Sequence, residues 1–130
     1  MKNIKDKVGD ALAAVFGADH VSDVYPKDWA NLPAIQFTEE DNRVQEHDFD
    51  ADGNPQEDKS YVRYGIDVWD SVTTSQDALK VDAALTAFGL VRTQCRDVDD
   101  PSGMKHKVMK YEAIIDCLSD MIYWPNTYNG

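Results

Sequence analysis

The stretch SYVRYGIDVWDSVTTSQDALKVDAALTAFGL, residues 60–90, decides the fold. Its first half alternates: Val62, Tyr64, Ile66 and Val68 fall on one side, and Tyr61, Arg63, Gly65, Asp67 and Trp69 on the other, the period of a pleated strand. Its second half changes period. Ala78, Val81, Leu85 and Phe88 share one helical stripe, with Thr74 or Ser75 placed to cap the start and Gly89 to stop the end. One strand and one helix therefore share a core.

Working outward, residues 2–16 place Ile4, Val8, Leu12 and Val15 on a second amphipathic stripe, widened by Ala11 and Phe16 and ended by Gly17. Between 18 and 32 the pattern is irregular, and Tyr25 and Trp29 are expected to cover one end of the core. Ala34 to Thr38 begins a strand that fades into polar residues, with Val44 and Phe49 as sparse markers. EHDFDADGNPQEDKS, residues 46–60, reads as an extended acidic hairpin loop. Leu90–Val98 alternates weakly. DDPSG turns the chain, and Lys105–Cys117 alternates strongly, with Met109, Tyr111, Ala113, Ile115 and Cys117 on one face. Met121–Trp124 allows one further short strand. The expected fold is a single α+β domain over 1–130: a mostly antiparallel sheet with a long hairpin, packed against two helices, in the order α-β-β-α-β-β.

Composition narrows the function. Thirteen basic against 24 acidic side chains give a net charge of −11, which disfavours a grip on a phosphate backbone. No apolar run approaches the length of a membrane span, and the start of the chain lacks the apolar region of a signal peptide. Cys95 and Cys117 follow no spacing motif, so both are expected to be reduced, with Cys95 a small core residue.

Asp48-Phe49-Asp50-Ala51-Asp52-Gly53 matches the first six positions of a calcium-binding loop. The twelfth position, where such a loop needs a bidentate glutamate, is Lys59, and Pro55 stands where an apolar residue is usual. The stretch is expected to be a soluble turn, and no metal ligand is assigned. His20, His47 and His106 show no metal spacing, and no nucleophile, phosphate loop or C-x-x-C appears. Neither catalytic residues nor a cofactor are expected.

The reverse side of the sheet is too apolar to be a simple solvated face. Tyr61, Arg63 and Trp69 share it with Val108, Lys110, Glu112 and Ile114. Either the two helices cover opposite faces, or this face meets a partner, for which Tyr, Trp and Arg are the usual anchors. On the second reading Tyr61, Arg63, Trp69, Val108 and Ile114 form an interface, and Trp69→Ala harms assembly more than folding.

The opening helix, Tyr25-Pro26 with Leu32-Pro33-Ala34-Ile35, the polar hairpin, TSQDALKVDAALTAFG and Met109-Lys110-Tyr111-Glu112-Ala113-Ile114-Ile115-Asp116 together resemble the tail terminator proteins of long-tailed bacteriophages. The resemblance implies a non-catalytic virion subunit at the head–tail interface, assembled in the host cytoplasm. Such subunits form a hexameric ring on the tail-tube protein, stop tube growth and meet the neck or connector. DNA passes through the ring without tight binding, and Asp48, Asp50 and Asp52 are then expected to line the channel and repel it. A neck stopper or connector adaptor is the nearest alternative. A cytosolic calcium- or protein-binding module is the alternative from another class.

Overall fold

The computed structural model describes residues 1–123, so Trp124 and the tail with Pro125 lie outside the described residues. The chain runs α1 (Lys5–Phe16), a 3-10 turn (Ala18–His20), β1 (Val21–Ser22), β2 (Ala34–Phe49), β3 (Pro55–Asp70), α2 (Ser75–Thr86), β4 (Val91–Val98), β5 (Lys105–Asp116) and β6 (Ile122–Tyr123). The sheet order is β1-β2-β3-β5-β4, and β6 pairs with β5. Every pairing is antiparallel except β1 with β2, so the α+β sheet is mixed. The expected element order needs one insertion, the short parallel β1 that the irregular text after α1 did not reveal.

The hairpin is longer in strand and shorter in loop than its composition suggests. β2 and β3 remain paired as far as Phe49 and Pro55, and only five residues turn the chain. Asp50 makes that turn: one carboxylate oxygen accepts the N–H groups of Asp52 at 2.9 Å and Asn54 at 3.0 Å. The fading of the β2 pattern has a structural cause. Register shifts between Glu39 and Asp41, and again around Glu46, interrupt strict alternation.

Both helices lie on one face of the sheet. Ile4, Val8 and Leu12 from the α1 region and Ala78, Val81 and Leu85 from α2 pack into a single cluster with Val62, Tyr64, Ile66, Val68, Met109, Tyr111, Ala113 and Ile115. The arrangement with helices on opposite faces is thereby excluded. α1 starts later than expected because the N–H groups just before it bond to β3 instead: the Lys2 N–H reaches the Ser60 hydroxyl at 3.0 Å and the Ile4 N–H reaches the Tyr64 hydroxyl at 3.3 Å. Within the helix the stripe follows steps of four. Phe16 packs against the core, while Val15 is 47 % exposed. Gly89, at φ 105°, closes α2 with its N–H on the Thr86 carbonyl. Cys95 is exposed rather than a core residue, and Cys117 is half-buried; neither forms a disulfide.

At the start of α2, Thr74 takes the cap position and Asp77 is buried three residues on. Desolvation and a hydrogen bond with the Asp70 carboxyl push the Asp77 carboxyl up to about 6.

Two outcomes follow for stability. Leu12→Ala should cost about 3 kcal/mol in chemical denaturation, against less than about 0.5 kcal/mol for Val15→Ser. Because folding raises the Asp77 pKa, its favourable contribution is complete below about pH 4 and lost as pH rises towards 6. Asp77→Asn should therefore be more stable than wild type by on the order of 1–2 kcal/mol at pH 7, with the difference closing below about pH 4.

Candidate functional site

The face of the sheet that carries no helix is closed at one end and polar at the other. At the closed end the loop after β1 folds over Trp69, which is only 2 % exposed. Tyr25 and Trp29 meet Trp69 with ring centroids 5.3 and 5.8 Å away, and they contact each other edge-on at 5.9 Å. His106, opposite Trp69 on β5, stacks on the indole at 4.5 Å and places Nε2 2.8 Å from the Asp67 carboxylate. The indole N–H donates to Asp100 at 3.1 Å. Hydrogen bonds from Ser102 hold the Asp100 carboxyl below its usual range. Tyr25 and Trp29 do cap an end, but of the reverse face rather than of the helical core.

Trp69 thus leaves the set of expected interface residues, because a segment of its own chain supplies its partner. Ile114 leaves with it: the side chain is 2 % exposed, on a strand between Tyr61 of β3 and Tyr123 of β6. Tyr61 is 7 % exposed. Arg43 lies over its ring at 4.2 Å, and its hydroxyl donates to Glu112. Burial and that carboxylate raise the Tyr61 pKa. Arg63 and Val108, both half-buried, stay within reach of solvent.

The polar end is organised by Glu40, which periodicity alone could not single out. The register shift between Glu39 and Asp41 leaves Glu40 without a cross-strand partner and turns its carboxylate over the sheet. There one oxygen accepts from Arg63 at 3.2 Å and the other from Lys110. Gly65 makes room for it: a Cβ at that position would lie 2.5 Å from the Glu40 carboxylate. Arg63, Lys110 and Glu112 with Thr93 and Gln94 of β4 line a shallow depression around this group. It is a neutralised, hydrogen-bonded surface and not a greasy one.

Asp48, Asp50 and Asp52 are all exposed, at the far end of the hairpin. Among the described residues no three His, Cys, Asp or Glu side chains gather as a metal-holding group. A depression of about 560 Å³ lies at the other end of the sheet, between Thr73–Ser75 at the start of α2 and Asp97–Asp100 at the end of β4. Among the described residues no helix is long and apolar enough to cross a membrane.

Near the hairpin, three chain segments meet. The N-terminal amine sits 2.5 Å from Glu57, Lys2 is 2.8 Å from Asp120, and the Cys117 N–H donates to the Asp58 carbonyl at 2.9 Å. The amine lowers the Glu57 pKa and is itself raised. Of the ten large hydrophobic side chains exposed among the described residues, five belong to this end: Met1, Val44, Phe49, Leu118 and Met121. Leu118 is 93 % exposed. This concentration of bare apolar groups, absent from the polar sheet face, is the feature of the surface that asks for a partner.

No protein-family model and no curated protein matches the chain significantly.

The burial of Trp69 gives a direct expectation. Trp69→Ala should cost about 3–5 kcal/mol, read from the denaturant midpoint, whereas Arg63→Ala, which removes a partly solvated ion pair, should cost less than about 1 kcal/mol.

Proposed function

We propose that the protein is a structural virion subunit, a tail terminator that caps the tail tube as an oligomeric ring and joins it to the neck. The observation that carries this reading is the hairpin end. Met1, Leu118 and Met121 expose apolar surface beside a strand pair that runs beyond its neighbour, since β3 pairs with β5 only from Lys59 onward. A tube end exposes the surfaces that the next layer of subunits would have buried, and an apolar end with a projecting ribbon is suited to occupy them.

Charge supports the same reading. Asp48, Asp50 and Asp52 give the projecting tip a negative surface in a chain of net charge −11, suited to a lumen that DNA must pass without sticking. Capping by shape needs no catalytic group. It also accounts for the closure of the reverse sheet face by the chain's own loop and ion pairs, which leaves recognition to the ends and edges.

The test is to mix the purified protein with its cognate tail-tube protein and image the tubes. The expected result is added density at one tip and arrested length. Leu118→Asp with Met121→Asp should reduce tip occupancy about tenfold or more without unfolding the subunit, because both residues are exposed. Bare tips and unaltered lengths with the wild-type protein would overturn the proposal.

A further inference from the structure

The sheet ends in two unpaired edges that differ in charge. Among the described residues β4 pairs only with β5, which leaves its far edge unpaired from Val91 to Val98. Among the described residues β2 has a strand neighbour on its far side only at Ile35 and Gln36, where β1 adds two residues. From Phe37 to Val44 no strand pairs with that edge among the described residues. β2 carries five carboxylates against one arginine, and β4 carries two arginines against one aspartate. A strand edge in an acidic protein that is locally basic is unusual enough to ask what it faces.

We infer that β4 of one copy pairs antiparallel with β2 of the next, extending one sheet from subunit to subunit. The directions allow it. Along β2-β3-β5-β4 each neighbour is antiparallel, so β2 and β4 run oppositely, and a second copy in the same orientation presents β2 antiparallel to the first copy's β4. Net charge favours it. Two β2 edges would bring together two strands of five carboxylates and one arginine each, whereas β4 offers two arginines against one aspartate, with Arg92 held by Asp82 at 3.5 Å and Arg96 left to face the neighbour. A contact between two different edges is heterologous and propagates head to tail, as a ring requires. Closure into a ring rests on the tail-terminator reading; the edge contact itself does not.

The irregularities narrow the register. The shift between Arg92 and Gln94 leaves Gln94–Val98 as the regular run of β4, and the shifts on either side leave Asp41–Val44 as the free regular run of β2. Arg96 lies opposite Val108 and Asp41 opposite Arg63, so both point to the face without helices. Arg96 forms no ion pair among the described residues, and Asp41 has only Arg43 at 3.6 Å. Setting Arg96 of one copy against Asp41 of the next places Cys95 opposite Asn42 on the other face. Directly opposed residues in an antiparallel pair have Cα atoms about 4.5–5.5 Å apart, within disulfide reach.

The experiment is disulfide trapping of the full chain at high concentration. In a Cys117→Ser background, Asn42→Cys together with the native Cys95 should give, under mild oxidation, a ladder of covalent oligomers beyond the dimer, with Cys95 joined to residue 42 in peptide mapping. Arg43→Cys, on the opposite face, should not. As a second measurement, Arg96→Asp should weaken the ladder roughly fivefold, and adding Asp41→Arg should restore it. Failure to form the ladder, dimers joined only through Cys95 to Cys95, or no rescue by the charge swap would overturn the edge pairing. Tip density on tail tubes in that event leaves the terminator reading standing, and a ladder without tip density has the opposite meaning.

Discussion

Two tyrosines at the centre of the sheet hold the layers together. Tyr64 of β3 and Tyr111 of β5 are direct cross-strand partners, and both are fully buried. Each hydroxyl must find a partner, because an unsatisfied buried phenol carries the full desolvation penalty. Tyr64 accepts the Ile4 N–H at the entry to α1 and donates to Glu39 at 3.4 Å, and Tyr111 donates to Asp82 of α2 at 2.8 Å. Burial and the adjoining carboxylates raise both pKa values, so both remain hydroxyl donors across the ordinary pH range. Each helix is thus tied by a polar bond to the strand beneath it, and both must lie on the same face.

Placing two helices on one face leaves the other to be dealt with separately, and the chain uses two devices. Over Trp69 it lays its own loop, so that aromatic contact replaces a helix. Further along, it neutralises the surface with Glu40 between Arg63 and Lys110, Glu112 under Tyr61, and Arg43 above the same ring. Individual partly exposed ion pairs stabilise by no more than about 1 kcal/mol, whereas burying a large aromatic side chain contributes several times that. The aromatic end is therefore structural, and the ionic end keeps a broad sheet face soluble. With the broad face satisfied, what remains unsatisfied is peripheral: the apolar groups beside the hairpin and the two free strand edges.

The peripheral features fit one another. An apolar end suits stacking onto another layer, and unlike edges on opposite sides suit lateral joining. On the proposed reading, one patch of each kind would serve an assembly with an axis, such as a ring on a tube. The hairpin belongs to both, since its β2 strand forms one of the edges and its tip reaches past the body.

Much of this was legible in the residues themselves. Alternation at Val62–Val68 and Met109–Ile115 identified the central strands, and the spacing of Ile4, Val8, Leu12 and of Ala78, Val81, Leu85 identified the helices, because both periodicities are properties of the local backbone. The same alternation put Trp69 and Ile114 on the reverse face correctly, and Tyr25 and Trp29 were visible as aromatics in need of a place. What covers a face is not a local property. Only tertiary contact decided that both helices share one side, that Trp69 is covered by a loop of its own chain, and that the two-residue β1 runs parallel. The bulge at Glu40 was hidden for a related reason: a strand that changes register loses the alternation by which it is recognised, while the partner strand and the space above Gly65 that justify the change lie more than 20 residues away.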